Sequence, residues 1–218
     1  MANLGGFQMK SVKYFPGMEN DGMSANLYLY GKKIGTYIDY GDGGMENVEF
    51  VSETAETAMK HFIVDFAKSH ENPFIEKLFK ERPKQWEDEV KNFKKNFPFV
   101  KDEDITYRVV ASDSIVYAVS EFEKLLSAEK TFKSAQKRGY GSIATDGYHI
   151  TQYPQSWSKE RVLADVEQKN AQNATRIAGG NADQYVAYFS LDDFEISHEE
   201  MMKDAERPVL EQEEEMER

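Results

Sequence analysis

The first fifty residues constrain this chain most, because glycine punctuates three short apolar segments there. Gly17-Met18-Glu19-Asn20-Asp21-Gly22 leads into Ser24-Ala25-Asn26-Leu27-Tyr28-Leu29-Tyr30. Gly31-Lys32-Lys33 turns the chain into Ile34-Gly35-Thr36-Tyr37-Ile38-Asp39, and Gly41-Asp42-Gly43-Gly44 turns it again into Met45-Glu46-Asn47-Val48-Glu49-Phe50. Glycine reaches the positive φ angles that tight hairpins need. The spacing therefore predicts an antiparallel β-meander, with residues 8–15 as a strand ahead of it. Leu27 and Leu29 fall on one face of their strand, and Tyr28 and Tyr30 on the other. Either both faces are covered, or an aromatic face is left for a partner. Tyr28, Tyr30, Tyr37 and Tyr40 are the candidate binding anchors, and the alternative is that they pack in the core.

After the meander the apolar period lengthens to that of a helix. Ser52 can cap a helix over 53–69, whose stripe is Ala55, Met59, Phe62, Ile63 and Phe66. Asn72-Pro73 opens a second, carrying Phe74, Ile75, Leu78 and Phe79. Arg82-Pro83 opens a third, with Trp86, Val90, Phe93 and Phe97, and Phe97-Pro98 ends it. Residues 101–110 read as an acidic loop followed by a strand through Ile105, Tyr107 and Val109. Asp113 is placed to cap a long helix through Ile115, Val119, Phe122, Leu126 and Phe132, which Gly139 stops.

Residues 142–145 and 148–151 around Asp146-Gly147 read as a hairpin with a type I′ turn. Trp157 ahead of Ser158, with Val162 four positions past that cap, is the pattern of a hydrophobic staple and opens a helix to about residue 170. Residues 175–178 and 184–189 read as two strands joined by Gly179-Gly180-Asn181. The plan is α+β: an N-terminal antiparallel β-meander, central helices, C-terminal β-hairpins with a helix, and an acidic tail. The expected division is 1–100 for meander and helices, 101–191 for the long helix and hairpins, and 192–218 for the tail. The first boundary falls near 98–104, or the first two parts form one domain.

Composition enters through what it excludes. The 218 residues contain no cysteine, which removes disulfides, thiolate metal sites and a cysteine nucleophile. No apolar run reaches the roughly 20 residues of a membrane helix, and residues 1–10 lack a signal-like apolar stretch. A cytoplasmic protein without membrane attachment is expected. The net charge is −12, and it is uneven. Residues 192–218 hold 12 acidic and 3 basic residues, which leaves only −3 for the rest. Such a tail is ordinarily a solvated extension; a sharper role is to compete with nucleic acid for a basic partner surface.

Motifs for chemistry are sparse. His61, His70, His149 and His198 have no helical ligand spacing, so no metal is expected. The acidic turn at Asp39 has Gly41 and Gly43 where a calcium loop counted from Asp39 needs oxygen ligands. There is no G-x-S-x-G elbow and no phosphate-cradling loop, and no cofactor is expected. Arg138-Gly139-Tyr140-Gly141 matches the start of an RNA-recognition signature, but Ser142 and Thr145 stand where base-stacking aromatics belong. Lys130, Lys133, Lys137 and Arg138, with Tyr140, remain a candidate patch for a phosphate backbone or an acidic partner. The alternative is a helix C-terminus with charges that suit its dipole.

The block from Gly17 to Phe50 resembles the start of small uncharacterised proteins of bacteriophages and prophages. The likeness rests on Leu27-Tyr28-Leu29-Tyr30-Gly31-Lys32-Lys33 and Asp39-Tyr40-Gly41-Asp42-Gly43-Gly44. It brings no catalytic residues and implies an accessory protein that acts by binding. Three functions follow as expectations. The first is a non-enzymatic phage-type protein that binds and modulates, by inhibition, a bacterial host or defence protein in the host cytoplasm. The second is a nucleic-acid binder using the patch around Lys130–Arg138. The third is a binder or enzyme for a small phosphorylated ligand, which a pocket lined by Lys or Arg, His149 and tyrosines would support.

Overall fold

The computed structural model describes residues 1–43, 46–69, 73–111, 114–178 and 182–203. Among these residues, nine strands and eight α-helices are arranged as α+β. The N-terminal strands are β1 (Asn3–Leu4), β2 (Phe7–Pro16), β3 (Asp21–Leu29), β4 (Lys32–Asp39) and β5 (Asn47–Phe50). They form one sheet in the order β5-β4-β3-β2-β1-β9, where β9 (Glu195–Ile196) pairs parallel with β1. The other neighbours in this sheet are antiparallel, as the meander requires. Leu29 pairs with Lys32, so β3 and β4 are joined by two residues, Tyr30 and Gly31, with φ of 49° and 78°. Two positive φ angles in sequence make the type I′ turn that matches strand twist. Met45 of the expected third segment lies outside the described residues, as does Gly44 of the turn before it.

One face of this sheet is apolar. Met23, Ala25, Leu27 and Leu29 alternate inward along β3, opposite Phe7 and Met9 of β2 and Ile34 and Tyr37 of β4. Against them pack α1 (Glu53–Ser69) and α5 (Ile115–Lys137). The Ser52 hydroxyl caps α1 by accepting the Ala55 amide at 3.1 Å. The Ser114 hydroxyl accepts the Val116 amide at 3.2 Å and caps α5; the expected cap, Asp113, lies outside the described residues. Gly139 follows the end of α5 with φ of 86°. The helices α2 (Pro73–Glu81) and α3 (Pro83–Asn96) lie where their prolines place them; Asn72, the expected cap of α2, lies outside the described residues.

Two expected strands are helices instead. Residues 107–111 form α4 (Tyr107–Ala111), after a 3-10 turn at Asp102–Asp104. Val109, Val110 and Ala111 are all buried. A strand would send alternate residues to opposite faces, whereas a helix wedged between α1 and α2 buries all three. Thr106 starts it, its hydroxyl accepting the Val109 amide at 3.3 Å. Residues 174–178 form α7 (Ala174–Ala178), running on from α6 (Lys159–Gln172) through Asn173. The Asn173 carbonyl accepts the amides of Arg176 and Ile177, so the local helical bonds win. The expected linker Gly179-Gly180-Asn181 lies outside the described residues.

The strand expected at 184–189 is β8 (Val186–Tyr188), and it pairs with β6 (Tyr140–Thr145) rather than with a hairpin mate. With β7 (Ile150–Pro154) this makes a three-stranded sheet, β7-β6-β8. The β6–β7 turn is wider than type I′: Thr145 pairs with Ile150, leaving four residues between. The Asp146 carboxylate accepts the Tyr148 amide at 3.0 Å and the His149 amide at 2.6 Å, which holds the wider loop. Ser158 caps α6 as expected, and Trp157 packs with Val162 in a small cluster beneath this sheet.

Residues 192–203 of the expected tail are folded. They form a 3-10 turn at Asp192–Phe194, then β9 and α8 (His198–Lys203). Phe194 and Met201 join the main hydrophobic core, which also takes in residues from Ala2 to Ile143. Residues 204–218 lie outside the described residues.

Candidate functional site

The four meander tyrosines do not share a face. Tyr37 sits opposite Ala25 on the core side and is 3% exposed. Burial pushes its hydroxyl pKa well up, and the ring offers nothing to a partner. Tyr28 lies on the outer face, with the Lys10 ammonium 4.4 Å from its ring centre. Tyr30 occupies the β3–β4 turn and sets its ring against His198, 6.5 Å away. Tyr40 follows β4 and is half exposed. Tyr28, Tyr30 and Tyr40 are thus accessible singly, at separate points of the sheet.

The basic patch on α5 is smaller than its sequence suggests. The Lys133 ammonium donates to Glu129 at 2.7 Å. Glu129 is only 3% exposed, and the N-terminal ammonium lies 3.5 Å from the same oxygen. Burial alone would raise the Glu129 pKa. The Lys133 ammonium, the Ala2 amide and the N-terminal charge outweigh it and hold the carboxyl below its usual range. Glu129 therefore fastens the N-terminus to α5, and Lys133 is committed to the same carboxylate. Lys130, Lys137 and Arg138 remain exposed, and the Arg138 guanidinium lies 5.8 Å from the ring centre of Tyr140.

Glu129→Gln is expected to cost about 1–2 kcal/mol, from charge-assisted hydrogen bonds lost at a site open on one side. A depressed carboxyl contributes stability above its unfolded pKa and loses it as pH falls through the folded value. Urea titrations at neutral and acidic pH should thus show the gap between wild type and Glu129→Gln closing as the pH falls.

Two clefts remain. The first, about 340 Å³, is apolar. Val48 and Phe50 of β5, Met59 and Ile63 of α1, Phe97 past α3 and Ile115 of α5 line it, with Glu56 and Lys60 paired at 2.8 Å on its wall. β5 is an outer strand of its sheet, so this cleft opens beside a strand edge. The second is polar, about 190 Å³, and lies by the β6–β7 turn. Asp146, Tyr148, His149, Asn173, Arg176 and Tyr185 line it. The Asp146 carboxylate stands 3.0 Å from His149 Nδ1, which leaves Nε2 as the ring nitrogen not held there. Burial would raise the Asp146 pKa, but the amides of His149 and Tyr148 and the His149 ring hold it below the usual range. Lys124, behind the cleft, pairs with Glu121 at 2.8 Å and Asp183 at 2.6 Å.

Of these residues the sequence points only to His149 for a pocket. Val48 and Phe50 read as ordinary strand residues, and the one signal is their place in the last meander strand before a helix. Arg176 falls in a segment whose sequence reads as a strand and whose structure is helical. Among the described residues no three His, Asp or Glu side chains gather as a metal site, and no helix is long and apolar enough to cross a membrane. Comparison with protein-family models, curated proteins and solved structures found no match to this chain.

Proposed function

We propose that this chain is a non-enzymatic accessory protein of bacteriophage type, which binds a bacterial host or defence protein in the cytoplasm and inhibits it. The observation that carries this reading is the apolar cleft beside the exposed edge of β5. It offers backbone hydrogen-bonding groups and an apolar recess together, the combination that protein partners use. The resemblance of Gly17–Phe50 to phage and prophage proteins supports a bacterial target. The test is a pull-down from bacterial lysate with tagged protein, with and without nuclease. One protein recovered in near-equal amount under both conditions is the expected result. Recovery only without nuclease would replace this reading with nucleic-acid binding through Lys130, Lys137 and Arg138.

The polar cleft favours a second reading, capture of a small phosphorylated ligand. Arg176, His149 and Tyr148 are donors such a ligand needs, gathered at one place, with the Tyr185 hydroxyl given to Asp146 beside them. Calorimetry with inorganic phosphate and with a sugar phosphate tests it. Binding abolished by His149→Ala together with Arg176→Ala would support this reading, and no heat with wild type would end it.

A further inference from the structure

We propose that β5 is a strand-addition site for an extended partner segment of the pattern apolar–basic–apolar, an inference that rests on the protein-binding reading above. The register decides which backbone groups are available. The Val51 amide donates to the Ile34 carbonyl at 2.9 Å, and β4 and β5 pair Thr36 with Glu49 and Ile38 with Asn47. In an antiparallel ladder, hydrogen-bonded pairs alternate with non-bonded ones. Val51, Glu49 and Asn47 therefore direct their amides and carbonyls to β4. Val48 and Phe50 direct theirs outward, to the free edge of the sheet. Among the described residues, no hydrogen bond engages those outward groups.

The side chains decide what fits. Val48 and Phe50 line the apolar cleft, on the opposite face of β5 from Glu49. An antiparallel segment that bonds to Val48 and Phe50 places the two residues opposite them over the cleft, and its intervening residue beside Glu49. The first two must be apolar. The third must be basic, because the exposed Glu49 stands beside it. Among the described residues Glu49 has no ion-pair partner, whereas Glu56, on the cleft wall, is paired with Lys60. A second copy of this chain fits poorly. The antiparallel register in which each β5 uses both outward residues sets Val48 against Phe50 and Glu49 directly against Glu49, and like charges opposite one another destabilise a pair.

The experiment titrates two blocked eight-residue peptides, one alternating valine with lysine and one alternating valine with glutamate. The protein is used as wild type, Glu49→Lys and Val48→Pro. Fluorescence anisotropy reads affinity, and hydrogen exchange reads the Val48 and Phe50 amides. The valine–lysine peptide is expected to bind wild type at least about tenfold more tightly than its glutamate counterpart. Both outward amides should be protected when it binds. Glu49→Lys should erase that preference. Val48→Pro, which removes an outward amide and leaves the bonds to β4, should weaken binding. Should Val48→Pro fail to fold, the exposed Glu49→Lys still decides. Equal binding of the two peptides, no binding, or protection elsewhere would overturn strand addition. A lysate partner whose capture ignores both substitutions would overturn it too, yet leave protein binding standing. Recovery of no partner by wild type, together with failure of both peptides, would remove both proposals.

Discussion

Replacing Phe7 by alanine is expected to cost about 3–5 kcal/mol, a large part of the roughly 5–15 kcal/mol that holds a domain together. Phe7 is fully buried on β2, where it pairs with Leu29. Its ring stacks on Phe62 of α1, with centroids 5.5 Å apart, and meets Phe122 of α5 edge-on at 5.7 Å. One side chain thus joins the sheet to both helices that cover it. Alanine removes the ring's transfer energy and leaves a cavity walled by two other rings, which cannot close it without moving a helix. Phe7→Leu keeps most of the volume and loses only the ring geometry, so it should cost clearly less than alanine. Urea unfolding of the two variants measures the difference. Equal losses, or an alanine variant within about 1 kcal/mol of wild type, would mean that this ring does not couple the layers.

The elements legible in the sequence are those whose signals are local. Paired glycines mark turns, and Ser52, Ser158, Pro73 and Pro83 mark helix starts, because each acts on its own backbone or on amides within three residues. The misread stretches are short, where period cannot separate helix from strand. Residues 107–111 have room for barely more than one turn, and burial among α1, α2 and α3 settles them. The candidate site was less legible still. An edge strand is defined by what does not pair with it: β9, which follows β1 by about 190 residues, adds to β1 at the far side of the sheet and leaves β5 at the near one. No periodicity reports that pairing. The tyrosines illustrate the same limit. Strand period separates Tyr28 from Leu27, but it does not say which face is covered, so Tyr37 reads as an anchor until its opposition to the inward Ala25 is known.

Phe194→Ala is expected to destabilise the protein by a similar amount, about 3–5 kcal/mol. The segment around Phe194 is strongly acidic in sequence and reads as solvated, yet its single aromatic is fully buried. The ring lies against Tyr188 of β8, with centroids 4.4 Å apart and planes within 9°, and against Phe132 of α5 at 5.6 Å. The charges around it have local tasks: the Asp193 carboxylate accepts the amides of Phe189 and Ser190 and so turns the chain inward ahead of the ring. Just beyond, the Ile196 carbonyl accepts the Gly5 amide at 2.9 Å, which fastens the N-terminus. Loss of the ring should therefore act in two places. Global stability falls, and the Gly5 amide exchanges faster, because β9 no longer has a buried anchor on its N-terminal side. Hydrogen exchange separates the two effects. If Gly5 exchange rises only as far as the global loss allows, the segment unfolds with the body. If it rises further, the C-terminal segment opens on its own and the ring is its latch. A Phe194→Ala protein with wild-type stability and wild-type Gly5 protection would show that backbone pairing alone holds β9, and that burial of the ring contributes nothing to closing the sheet.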